Sequence, residues 1–393
     1  MKHHAYVPRA TSYGLNPGDE LNDLRMSDQV RPLFEHVKKF IRETVDPMLV
    51  EYTKHGEGKK DRWSFTQGQL DVLGKAKAKA KEEGLWNFFL PDSETGEGLK
   101  NLDYAYIAVE LAKNPLASET MNCSAPDTGN MEVLERVGTK EQKEKWLKPL
   151  LNGEIRSAYA MTEPAVASSD AKNITTTAKL EGNEWVINGE KYYISGLGDP
   201  RCKIMIAMVK TNPDAPRGHM HMRFNNVRVP KENILLGEGR GFEISQVRLG
   251  PGRIHHCMRT IGKAEKALDL MVARGLTREA FGKPIAHLGG NLQIIAQARC
   301  EIEAMRLMVL KAAKAMDVLG NKEARVWVSM VKAMVPERTC KIIDQAIQIH
   351  GATGISEWTP LADMYADVRH LRFADGPDEV HWMVVGRHEL SMA

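Results

Sequence analysis

No run of about 18 consecutive apolar residues occurs in this chain, so no membrane-spanning helix is expected. Cysteine is scarce: Cys123, Cys202, Cys257, Cys300 and Cys340 are scattered, with no Cys-x-x-Cys. That argues against a zinc site and a disulfide scaffold, and for a soluble, reducing compartment. Neither charge sign dominates. Lys and Arg number 54 against 51 Asp and Glu, a net charge of +3 over 393 residues. Such a balance gives no electrostatic case for nucleic acid or an anionic membrane. No Gly-x-x-x-x-Gly-Lys-Ser/Thr is present, which excludes a P-loop. The run Gly237-Glu238-Gly239-Arg240-Gly241-Phe242 brings its third glycine one residue too early for a dinucleotide fingerprint, and no βαβ unit surrounds it; it is expected to be a turn before a helix. Met1-Lys2-His3-His4-Ala5 lacks the apolar stretch of a signal peptide. No metal site is expected. There is no internal repeat and no low-complexity tract.

A hydrophobic content of 42% with 27% charged residues is that of a folded chain, long enough for two or three domains. Residues 1–25 read as a polar arm. Residues 26–157 show helical periodicity: Val30, Leu33, Phe34, Val37, Phe40 and Ile41 recur at three- and four-residue steps. Leu70 to Leu85, Asn101 to Leu111 and Met131 to Leu151 continue the pattern. The Lys-Ala repeat from Lys75 to Lys81 predicts a solvated helix face. Residues 158–240 change texture. Thr175 to Thr177, Trp185 to Ile194, Lys203 to Val209 and Met220 to Val229 predict strands, with a hairpin signalled at Asn188-Gly189. From 241 to 393 helices return, over Ile261 to Arg274, Ala296 to Leu319 and Val326 to Ile349, the last interrupted at Pro336. The class is α+β.

The segment Arg372-Phe373-Ala374-Asp375-Gly376-Pro377-Asp378-Glu379-Val380-His381 places a carboxylate beside a Gly-Pro turn between two helical stretches. A carboxylate held rigidly and partly desolvated suits a base that removes a carbon-bound proton. An Asp-Gly step by itself is ordinarily a plain turn. In the same chain stand Tyr159-Ala160-Met161-Thr162-Glu163-Pro164, Arg278-Glu279-Ala280-Phe281-Gly282-Lys283 and Gln348-Ile349-His350-Gly351-Ala352-Thr353-Gly354. In order and spacing these resemble the signature segments of the acyl-CoA dehydrogenases, from about Leu85 onward. The wording is nearest the branch called family members 10 and 11, which carries Asp where the usual base is Glu.

The resemblance implies an N-terminal helical domain, a small and shortened central β domain and a C-terminal four-helix bundle. It implies FAD-dependent α,β-dehydrogenation of an acyl-CoA, with Asp375 as the base. Tyr159, Met161 and Thr162 would contact the flavin, Tyr193 would stack near it and Ser195 would hydrogen-bond near N5. Arg278 and Phe281 would reach the ADP part of FAD across a subunit interface, with Gln348 and Gly351 forming the second half of that site. Gly376, Pro377 and Glu379 would line the cofactor, and Ser169 and Arg253 the substrate. An electron-transfer flavoprotein would be the electron acceptor, and a homodimer or homotetramer the assembly. From residue types alone, Arg253 is equally a surface arginine, Arg278 a helix C-cap, and His255 and His256 structural.

Three departures from the family pattern stand out. Lys210 to Phe224 is short by two or three strands, through either a truncated β domain or an omitted loop. Ala165 to Asp170 has lost its glycines. Leu288-Gly289 occupies the place of an expected Gln. Two rival functions follow: the same fold acting on 4-hydroxy or 4-phospho acyl-CoA, and a non-enzymatic helical scaffold. Met121 to Asn130 is polar for an acyl-chain wall, which suggests a substituted substrate, with a helix cap and turn as the plainer alternative.

Overall fold

The computed structural model describes residues 20–59, 64–91, 96–170, 173–211 and 222–391. The predicted order of helical, β and helical segments is found along the chain. In space the described residues group into two compact units. One gathers the chain up to His36, Lys100–Lys113 and Arg253–Ala393; the other gathers Val37–Leu99 and Asn114–Gly252. The polar arm up to residue 19, His3 and His4 with it, and most of the short stretch after Lys210 lie outside the described residues.

In the second unit, the helix Gln67–Glu82 starts at a capping box. The Thr66 hydroxyl accepts from the Gln69 amide, and the Gln69 side chain accepts from the Thr66 amide. Val72, Leu73, Ala76 and Ala80 form its buried face. Its lysine row is not wholly solvated. Lys77 turns inward to Glu119 at 3.1 Å, with its side chain only 12% exposed.

The strands of this unit are β1 (Arg156–Ala160), β2 (Thr177–Glu181), β3 (Glu184–Lys191), β4 (Cys202–Ala207) and β5 (Met222–Pro230). β1 pairs in parallel with β4, and β2-β3-β5 form an antiparallel sheet. The hairpin turn falls at Gly182-Asn183, between the paired Glu181 and Glu184. Asn188-Gly189, the predicted turn, lies inside β3 as a bulge in the β3–β5 register. Gly189 is needed there for close approach: a Cβ would stand 2.5 Å from the Thr176 Cα. An Asn-Gly signal is local, and here pairing on both edges of β3 overrides it.

One ion pair ties the unit together at the end of β1. The side chains of Lys191 and Glu163 are fully buried, 2.7 Å apart. Glu163 also accepts from the Thr175 hydroxyl at 2.7 Å and the Thr176 amide at 3.0 Å, while Lys191 donates to the Met161 carbonyl at 3.0 Å. Burial alone would raise the Glu163 carboxyl; Lys191, the Thr176 amide and the Thr175 hydroxyl hold it down at about 2.

In the first unit, the helix Asn101–Leu111 has no side-chain cap from its own neighbour Lys100. The Asp317 carboxylate replaces one, accepting from the Asn101 and Leu102 amides at 2.8 and 2.9 Å. Long helices Gly241–Thr277, Asn291–Glu323 and Arg325–His350, followed by Leu361–His370 and Asp378–Ser391, make up the C-terminal part. The Gly241–Thr277 helix begins in the second unit and enters the first at Arg253. Pro336 does not interrupt its helix, contrary to the sequence expectation. It is buried, and packing around it offsets the one lost backbone hydrogen bond. Asn291–Glu323 does break where expected, at Gly320, whose φ is 77°.

Glu163→Leu should cost about 3–5 kcal/mol, because it leaves the Lys191 charge buried without its partner. Lys191→Met should cost less, since Glu163 keeps its threonine donors. Equilibrium urea unfolding ranks the two, and the reverse order would remove Glu163 as the hub. Glu163 is depressed in the folded state, so its contribution is complete above the ordinary carboxylate value of 4.5 and lost as pH falls toward about 2. The stability gap between parent and Glu163→Leu should close over that window.

Candidate active site

Asp375 sits in the turn between Leu361–His370 and Asp378–Ser391, with φ 56°. The left-handed region is sparsely used by residues other than glycine, although Asp tolerates it better than most. Gly376 follows with φ 105°, and a Cβ there would stand 3.0 Å from His381 Nε2. The turn is held from three sides. Arg253 Nε donates to the Asp375 carbonyl at 2.9 Å. The fully buried Lys332 donates to the carbonyls of Leu371 and Gly376, the latter at 3.2 Å. Arg372 closes the loop on Asp378 at 2.6 Å. The neighbouring carboxylates are thereby distinguished: Asp378 is a buried turn clamp, and Glu379 is exposed in the first helical turn.

The Asp375 side chain is 12% exposed, and its Oδ2 lies 3.2 Å from His256 Nε2. On the other side of that ring, Nδ1 is 3.4 Å from Arg259 Nη2. Burial is the largest influence on His256 and, against the pull of Asp375, brings it down to about 4, so the imidazole is neutral at physiological pH. Arginine can only donate, so Nδ1 is the acceptor and the ring proton is on Nε2, the nitrogen nearer Asp375. His381 is also buried, 3.4 Å from the Ser329 hydroxyl, and is pushed down to about 3 first by burial and then by Arg253 and Lys332.

The predicted flavin-facing residues of the β region come together. Tyr192 donates its amide to the Thr162 carbonyl at 3.0 Å, placing the Tyr192–Ser195 segment beside the end of β1. Thr162 and Ser195 are exposed, and Tyr159 and Met161 are half-buried. Tyr193 is 86% exposed with φ 52°, its ring against Tyr192 with centroids 4.4 Å apart. Ser168 is used internally, accepting from the Glu163 amide at 2.9 Å, while Ser169 is exposed.

In the first unit, Arg278 and Phe281 stand on the small hairpin Glu279–Ala280 and Lys283–Pro284, both exposed, Phe281 by 95%. Gln348 and Gly351 are exposed at the end of Arg325–His350. Gly351 has φ 63°, whereas Gly354 is needed for packing, since a Cβ would meet the Ile347 carbonyl at 2.7 Å.

The polar segment Met121 to Asn130 turns out to be satisfied within the protein. Asp127 accepts from the Ser157 amide and hydroxyl at 2.7 and 2.6 Å and from Arg156. Asn130 donates to Ser157 and Ala158, and Asn122 to Asn87 and Leu150. These groups therefore make no demand for a polar substrate.

His256, Arg259 and Lys332 were not singled out as site residues from the sequence. One signal was present: Arg253, His256 and Arg259 recur at i, i+3, which puts them on one helix face. Nothing local pairs that face with Asp375, which lies 122 positions from Arg253.

Three family models match in succession: the acyl-CoA dehydrogenase N-terminal domain over residues 27–154, the middle domain over 158–256 and the C-terminal domain over 239–390. The chain is 47% identical to mouse acyl-CoA dehydrogenase family member 10, covering 99% of this chain but only 40% of that protein. It is also 47% identical to the Mycobacterium tuberculosis protein named probable acyl-CoA dehydrogenase FadE2, covering 89% of this chain and 94% of the relative. A solved Mycobacterium abscessus structure, provisionally named an acyl-CoA dehydrogenase, matches with a TM-score of 0.87 at 44% identity, over 93% of this chain and 99% of the other. More distant structures share the fold at 19% and 23% identity, and these are a Mycobacterium smegmatis glutaryl-CoA dehydrogenase with FADH2 and a Bacillus anthracis acyl-CoA dehydrogenase with FAD. On this coverage and identity, the chain belongs to the acyl-CoA dehydrogenase family.

Proposed function

We propose that this protein is an FAD-dependent dehydrogenase of acyl-CoA thioesters in which Asp375 removes the α-proton. The observation that carries the reading is the Asp375 turn. A largely buried carboxylate is held in left-handed backbone, with its own carbonyl and the next one gripped by Arg253 and Lys332. Strained, over-determined backbone of this kind concentrates at functional sites. A carboxylate at such a point accepts a proton without first reorganising its surroundings.

The chain's residues also fit the cofactor. Tyr193 presents an uncovered aromatic ring from a left-handed residue, beside the exposed hydroxyls of Ser195 and Thr162. Such a set suits the face and edge of a flavin. FAD, when bound, supplies the acceptor for the β-hydrogen as hydride. Tyr159 and Met161 would complete the flavin contacts through the strand end that Glu163 and Lys191 hold. Arg278, whose fork matches a pyrophosphate, would act with Phe281, Gln348 and Gly351 on the ADP part. Gly376, Pro377 and Glu379 would lie along the cofactor by family resemblance, and Ser169 and Arg253 along the acyl-CoA. A 95%-exposed Phe281 supports a second subunit covering that hairpin, so the protein would work as a homodimer or homotetramer. An electron-transfer flavoprotein would reoxidise it.

Anaerobic titration of the holoprotein with a panel of acyl-CoAs tests the reading through bleaching of the flavin absorbance. No bleaching with any chain length would overturn it. Asp375→Asn is expected to retain FAD and slow flavin reduction on the order of 100- to 10,000-fold. Asp375→Glu should keep partial activity with a shifted chain-length preference, because the added methylene moves the carboxylate.

Arg278→Ala should lower FAD content and oligomer stability together, since apo protein lacks the stabilisation that a bound ligand gives the native state. FAD occupancy and sedimentation are read on one sample. Unchanged values for both would return Arg278 to the role of a surface residue.

A further inference from the structure

We propose that His256 is a positioning residue for Asp375: its neutral imidazole holds the carboxylate in one orientation for proton removal. The inference rests on Asp375 being the base.

The backbone of Asp375 is fixed by its left-handed turn and by the hydrogen bonds of Arg253 and Lys332 to carbonyls on either side of the carboxylate's origin. None of these contacts fixes the carboxylate plane. The last torsion of Asp is broad and roughly two-fold, so the backbone alone leaves that plane free to rotate. His256 acts at the carboxylate itself, with Nε2 3.2 Å from Asp375 Oδ2. The ring itself is oriented by Arg259, one helical turn on, at its Nδ1. Arg253, His256 and Arg259 therefore act from one helix face: the first on the backbone of Asp375, the second on its carboxylate, the third on the ring between them.

The charge state of the ring matters. An imidazolium would form an ion pair with the carboxylate and strongly favour its ionised form, which weakens it as a base. The groups acting on His256 are His255 and Arg259 on its own helix, Asp375 on the turn, and Lys332 on Arg325–His350. Only Asp375 favours protonation, and burial outweighs it. The carboxylate thus has a neutral imidazole nitrogen 3.2 Å from its Oδ2, without an adjacent full charge on that ring.

The test uses holoprotein and the best acyl-CoA of the panel, in anaerobic stopped-flow flavin reduction, on the parent, His256→Leu, His256→Gln and Asp375→Asn. His256→Leu is expected to lower the limiting reduction rate on the order of 10- to 100-fold, the scale of a misplaced reacting group. Substrate affinity, FAD content and melting temperature should stay near the parent's, since an interaction made only in the transition state changes rate and not ground-state binding. The acidic limb of its rate profile should move to higher pH, and the isotope effect with α-deuterated substrate should grow. His256→Gln, which keeps a donor near the Nε2 position, should recover most of the rate.

Parent-like reduction by His256→Leu, with Asp375→Asn inactive, would overturn the proposal and leave the base assignment standing. Equal losses in the Leu and Gln variants with an unmoved pH profile would likewise make His256 merely structural. Parent-like reduction by Asp375→Asn would instead remove the base assignment itself. If His256→Leu fails to hold FAD, His256→Gln is compared with His256→Asn, whose donor falls nearer the Nδ1 position. A faster Gln variant supports the proposal, and equal rates overturn it.

Discussion

Two cations hold the carbonyls of a single turn, and the candidate chemistry depends on that grip. Lys332 is wholly buried, and its ammonium is spent on backbone oxygens at Leu371 and Gly376. Arg253 does the same for the carbonyl of Asp375. A turn with two successive positive-φ residues would otherwise relax, because each left-handed non-glycine residue costs on the order of 1–3 kcal/mol. Burial lowers Lys332, yet charge-assisted bonds to two carbonyls give it something to do with its proton. The constraint thereby turns a flexible Asp-Gly-Pro sequence into a fixed platform.

The same use of buried charge recurs in the other unit. Glu163 and Lys191 fasten the end of β1. Arg156 bridges Glu119 and Asp127, and Lys77 and Arg201 converge on the same Glu119. Glu119 is held at about 2: burial would raise it, and the surrounding cations outweigh burial. Buried pairs of this kind contribute little net stability compared with apolar packing, but breaking one is costly. They act here as registration devices, fixing which backbone oxygens and amides meet. Polar residues that read as substrate contacts, Asn122, Asp127 and Asn130, are consumed by this task.

What remains exposed differs in kind. Tyr193 and Phe281 are left uncovered on left-handed residues, and Thr162, Ser195 and Ser169 keep open hydroxyls. An apolar side chain held in strained backbone and in water has no folding advantage of its own. Under the proposed function, FAD and a second subunit would cover them.

The sequence by itself determined the succession of elements. Helical periodicity located Asn101–Leu111 to the residue and ended Asn291–Glu323 near Leu319, because apolar spacing is a property of neighbouring positions. Motif wording determined the family and singled out Asp375. Tertiary structure decided the rest. It made Asn188-Gly189 a bulge and kept Pro336 in a helix, since pairing and packing on both sides outweigh a local breaker. It satisfied the polar Met121 to Asn130 segment internally. It also turned His256 from an unpaired histidine on a helix into the partner of Asp375. Spacing along a chain cannot show a contact between residues that meet only after their elements have packed.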